Sequence, residues 1–160
     1  MKKLLGIVVA SLFIFVGFQA MAGNQAQQIV NFQVNPINEI SVSGNPGTLI
    51  INSATAGQDP DPAEDTSTTY SVTTNEENKK IVGKIDSTMP QYTTLEVQLT
   101  APQGGSSAGY IALGTTDQNL VTGISKLSES GKQISYRFSA QAEAGTLNGL
   151  RTVTLTLTDS

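Results

Sequence analysis

The chain has 160 residues, with 13 acidic against 9 basic side chains and no cysteine, histidine or tryptophan. Without histidine there is no His-based acid–base catalysis, no Ser-His-Asp or Cys-His nucleophile system, and none of the commonest zinc and copper ligands. A net charge of −4, with Lys and Arg scattered singly, does not suit nucleic acid or an anionic membrane surface.

Residues 1–22 carry the pattern of a secretory signal peptide. Lys2 and Lys3 make a short basic start, residues 4–18 are an apolar run, and Ala20-Met21-Ala22 is a small-x-small cleavage site. Taking 22 residues from 160 leaves 138, and losing Lys2 and Lys3 takes the charge from −4 to −6. That length fits one domain whose core alone must hold it, since no disulfide is available. No stable membrane insertion is expected after cleavage.

The mature chain reads as strands and turns. Residues 28–34 alternate, with Val30, Phe32 and Val34 on one face. Asn35-Pro36 ends that strand, because proline cannot donate to a ladder. Residues 37–43 resume extended structure, and residues 48–52 read as a short strand buried on both faces. Residues 53–67 read as a loop, since two Asp-Pro steps exclude a strand interior. Residues 68–74 and 79–86 form a hairpin about the turn at 75–78. Residues 92–100 are a long strand with Leu95, Val97 and Leu99 inward. Residues 102–109 are a Gly/Ser loop, 110–113 a short strand and 118–127 extended. A turn is expected at 128–131, followed by a clean alternation from 133 to 144. Only residues 141–147 leave room for one helical turn. The last strand, 151–158, reads R-T-V-T-L-T-L-T, with Val153, Leu155 and Leu157 on one face and threonines on the other. Such a strand needs partners on both edges.

About eight short strands with turns between them predict a single all-β domain, an antiparallel immunoglobulin-like β-sandwich. The expected organisation is a signal peptide at 1–22, an N-terminal strand at 23–35 and the sandwich at 36–160.

Few side chains offer chemistry. Asp59, Asp61, Glu64 and Asp65 are the only dense carboxylate cluster, and calcium takes such oxygen ligands. Their spacing matches no calcium loop, and the bland reading is a solvated loop stiffened by prolines. Two carboxylates can also serve a glycosidase, but no aromatic sugar wall accompanies them. No catalytic residue, cofactor or metal site is therefore expected, and the chain reads as non-enzymatic.

The start Q-Q-I-V-N-F-Q-V-N-P-I, the hairpin Y-S-V-T-T-N-E-E-N-K-K-I-V and the terminal R-T-V-T-L-T-L-T resemble the pilins of colonisation-factor fimbriae. These are the class 5, or alternate chaperone–usher, pilins, and they too are exported and cysteine-free. The resemblance covers about a quarter of the chain and does not extend to residues 90–118. It implies an extracellular structural subunit, self-assembling into a homopolymer by N-terminal strand donation, with an assembly chaperone as a further partner. The interface residues it implies are Ile29, Val30, Phe32 and Val34 on the donated strand and Val153, Leu155 and Leu157 on the receiving side. Other filament subunits with a donated strand share these features. The alternatives are that residues 28–34 pair within their own domain, or that the chain is a monomeric secreted β-sandwich module binding a glycan or a protein, with calcium in the loop of Asp59, Asp61, Glu64 and Asp65.

Overall fold

A computed structural model describes residues 24–160; the signal peptide expected at 1–22 lies outside them. The chain divides into two units, Met1–Gln33 and Val34–Ser160. In the first, the described residues 24–33 are irregular and exposed. Among the described residues, 28–34 are thus in no ladder, although their alternation predicts a strand. A strand needs an edge to pair with, and alternation supplies only the face.

The second unit is all-β, with nine strands and no α-helix among the described residues. The strands are β1 (Asn38–Val42), β2 (Ala63–Thr74), β3 (Lys79–Ile85), β4 (Thr93–Leu99), β5 (Ser106–Ser107), β6 (Ile111–Ala112), β7 (Gln118–Ile124), β8 (Leu127–Ala140) and β9 (Val153–Asp159). They form two antiparallel sheets, ordered β1-β2-β8-β4-β6 and β5-β7-β3-β9. One core lies on the inner faces of both. Tyr70, Val97 and Ile134 from the first sheet and Ile81, Val121 and Ile124 from the second are almost fully buried. Burying a side chain of this size is worth about 1.5–3 kcal/mol. Register shifts in the β2–β8 ladder, at Asp65/Thr68 and at Tyr70/Val72, add local twist and help curl the larger sheet.

Four expectations about elements are corrected. Residues 48–52 are not a strand: Leu49 and Ile51 are half-buried and Ile50 is exposed. The run joins no ladder, and Leu49 instead packs against the core from an irregular segment. The loop expected to reach Ser67 ends earlier, because β2 starts at Ala63, just after the second Asp-Pro step. Glu64 and Asp65 lie in this strand, paired with Arg137 and Tyr136. The turn expected at 128–131 is absent. β8 runs straight through it, and the chain reverses at Ser125 and Lys126, where Lys126 takes φ 42. Beyond Ala140 the expected alternation stops, and residues Ala142–Ala144 form one 3-10 turn.

Two packing details give direct tests. Thr68 is 3 % exposed and its hydroxyl has no hydrogen-bond partner. Thr68→Val keeps the shape and removes the unsatisfied group, so stability should rise by about 1 kcal/mol in urea unfolding. Gly83 lies on β3 between β7 and β9, where an added Cβ would sit 2.6 Å from Leu120 Cδ1 and 3.3 Å from Leu155 Cδ2. Leu120 is almost fully buried, so relieving the overlap disturbs the core around it. Gly83→Ala should therefore cost about 1–3 kcal/mol in the same measurement.

Candidate assembly groove

β9 stands at the edge of its sheet. Among the described residues its only ladder is with β3, from Lys79↔Asp159 to Ile85↔Val153. The last strand therefore has one hydrogen-bonded neighbour and not the two that its sequence asks for. Natural edge strands are usually blunted by proline, lysine, a bulge or shortness. From Val153 to Thr158 β9 has no charge and no proline. Its ladder with β3 has no register shift.

Beside this edge the two sheets part. β1, the edge of the other sheet, lies across the opening. Between them is a groove of about 1240 Å³ lined by residues of both sheets, among them Ile40, Leu95, Tyr136, Phe138, Val153 and Leu155. Ile40, Phe138, Val153, Leu155 and Leu157 pack on the core but are only partly buried. The core thus extends to the groove without a covering layer on this side.

The groove has a closed and an open end. The closed end is the β2–β3 hairpin, where β1 begins and β9 finishes. Lys79 Nζ there bridges Glu76 Oε2 at 2.7 Å and Asp159 Oδ1 at 2.5 Å. Asn38 Nδ2 donates to Glu76 Oε2, and Thr74 Oγ1 donates to Asn38 Oδ1 at 2.7 Å. The Ser160 amide donates to the Asn78 carbonyl at 2.9 Å. These bonds tie the first strand, the hairpin and the last strand together. The chain also enters the unit here: Ile37 N donates to Asn75 Oδ1, and Asn75 Nδ2 donates to the Asn35 carbonyl.

The open end, or mouth, is formed by the segments before and after the far ends of these strands. Arg151 donates from Nε and Nη2 to the Thr88 carbonyl, and Thr152 and Asp86 exchange two hydrogen bonds. These contacts hold the start of β9. Val42, Ile50, Leu147 and Leu150 line the mouth and are 53, 64, 42 and 79 % exposed.

Charge at the closed end makes the knot pH-dependent. The hydrogen bond from Lys79, then that from Asn38, hold the Glu76 carboxyl below its ordinary value of 4.5. Hydrogen bonds to Asp159, then Glu76, raise the Lys79 ammonium above 10.5. A depressed carboxyl stabilises the fold fully above its unfolded value and loses that contribution as pH falls through its lower folded value. The lysine works the other way, losing its contribution as pH rises past 10.5. The melting temperature should therefore fall on acidification below about pH 4.5, and by less in Glu76→Gln. Thermal scans of both proteins from pH 7 to pH 2 check this.

The residues singled out from the sequence fall in different places. Val153, Leu155 and Leu157 share the inward face of β9, and the first two line the groove. Ile29, Val30, Phe32 and Val34 are 84, 75, 94 and 76 % exposed. The four acidic residues serve separate structural roles. Asp59 accepts from the Ala142 amide, Asp61 from Ser53 Oγ, and Asp65 from Gly47 N and from Ser67 N and Oγ. The Ser67 hydroxyl above all holds the Asp65 carboxyl below 3.8. Glu64 sits opposite Arg137 in the β2–β8 ladder. Among the described residues no three His, Cys, Asp or Glu side chains gather as metal ligands.

Sequence reasoning missed the opposite wall, made of Ile40, Leu95, Tyr136 and Phe138. Their alternation marks an inward face and gives no sign that the face is left partly uncovered. No family model, curated protein or solved structure matches this chain.

Proposed function

We propose that the protein is an exported structural subunit that polymerises by strand donation into an extracellular, pilus-like filament. The unit would be an immunoglobulin-like sandwich short of one strand, and the N-terminal segment of a second copy would supply it. The observation that carries this reading is the unblunted edge of β9 beside an open apolar groove. An edge of this kind pairs with another chain unless something covers it, and adding a strand to a free sheet edge is a recurring mode of peptide recognition.

The N-terminal segment has the matching chemistry. Val30, Phe32 and Val34 alternate and are exposed, and β9 offers Val153, Leu155 and Leu157 at the same spacing. Main-chain bonds would give affinity, and the three plugs would give register.

The closed end also favours donation between copies. A strand tethered to a neighbour must enter through the mouth, with its N-terminus leading toward the hairpin. It then runs antiparallel to β9. A strand folding back from Asn35 into its own groove would have its C-terminal end at the hairpin and run parallel to β9. All the ladders described are antiparallel, and antiparallel pairing is slightly the more stable per residue.

The test is direct. Mature protein, residues 23–160, should form filaments by negative-stain microscopy, and its sedimentation should rise with concentration. A species that stays monomeric at every concentration, without filaments, overturns the proposal.

A further inference from the structure

Resting on strand donation, we infer a second interface between consecutive copies: the apolar rim of the groove mouth packs against the hairpin end of the copy that donates its strand. The occupant is thus a second copy of this chain, and the contact is made by folded bodies.

The argument is one of reach. Val34 is the last plug of the donated segment, and Asn38 is the first residue of β1. Four residue steps span at most about 14 Å when fully extended. Asn75 shortens the tether by holding the Asn35 carbonyl and the Ile37 amide, and Pro36 stiffens it. Packed layers of side chains already stand about 10 Å apart, backbone to backbone. With Val34 seated in one copy, the donor's hairpin end therefore has no room to stand clear of the mouth.

The mouth is suited to contact. Val42, Ile50, Leu147 and Leu150 ring it and are all well exposed. Ile37 at the hairpin end is 42 % exposed, next to the tether. Apolar residues on facing ends, brought together by a short link, gain from mutual burial. The effective concentration set by such a link makes even a weak contact count.

The chain has no cysteine, so an introduced pair reports without background. In the Ile37→Cys/Leu150→Cys double variant of the mature protein, the two sites lie at opposite ends of one body. β9 alone separates them by about 20 Å at its rise per residue, far beyond the ~7 Å limit for a disulfide. Any disulfide must then join two copies. Oxidised filaments should run as a ladder of covalent oligomers on a non-reducing gel. Ile37→Cys/Leu147→Cys repeats the test at a second rim position. The control is Ile37→Cys/Ser106→Cys, since Ser106 lies on β5 at the other edge of the sheet and should give no ladder. Filaments that form but cross-link no better than the control overturn the rim contact and leave donation standing. Absence of filaments in unmodified protein overturns donation, and this inference with it.

Discussion

Deleting residues 23–35 is expected to abolish polymerisation and to leave a soluble monomer with an empty groove. The monomer should melt below the assembled protein, because Val153, Leu155 and Phe138 keep a water-facing side that the donated strand would cover. A synthetic peptide of residues 24–35 should restore the loss. Binding to the folded state alone stabilises by RT ln(1 + [L]/Kd), or about 2.7 kcal/mol at a hundred times Kd. The melting temperature should therefore climb steadily with peptide concentration, without a plateau at low excess. Filaments formed by the truncated protein would sink the role of this segment. If peptide at every concentration leaves the melting curve unmoved, the groove does not receive this strand.

Phe32→Asp is expected to be the most damaging single change in the segment. Phe32 is its only aromatic residue and stands between Val30 and Val34. Seating it is worth about 1.5–3 kcal/mol, and an unpaired buried carboxylate costs more. At about 1.4 kcal/mol per factor of ten, the donated strand should lose at least about a hundred-fold in affinity. Asn31→Asp adds the same charge on the opposite face and should be mild. The comparison also locates the strand. Phe32 is 94 % exposed in the single chain, so the substitution should weaken the polymer and leave the melting of the monomer unchanged. Equal damage from both substitutions would mean that the segment has no buried face. A monomer that itself melts earlier would return the strand to its own domain.

Much of the fold is legible from alternation alone. The faces of β4 and β9, the inward Tyr70 and Val72 and the hairpin at 75–78 follow from a period of two and from turn chemistry. These are local properties, since a pleat alternates whatever lies beside it. Local composition misleads where partners decide. Ser128-Glu129-Ser130-Gly131 has the composition of a turn, yet β8 passes through it because β2 pairs along its length. Thr48-Leu49-Ile50-Ile51 has the composition of a strand and joins no ladder.

The candidate site divides in the same way. The sequence by itself determined that Val153, Leu155 and Leu157 share one face, and it set the alternation of Val30, Phe32 and Val34 in a segment that is irregular in the single chain. It also excluded histidine- and cysteine-based chemistry, because those residues are absent. Only the tertiary structure decided that β9 has one neighbour, that β1 faces it across an opening, and that Lys79 closes one end of the groove while the other stays open. An open groove leaves no mark on the strands that line it. Their inward faces are apolar whether or not a layer covers them, and sheet order is set by pairings between residues far apart in the chain.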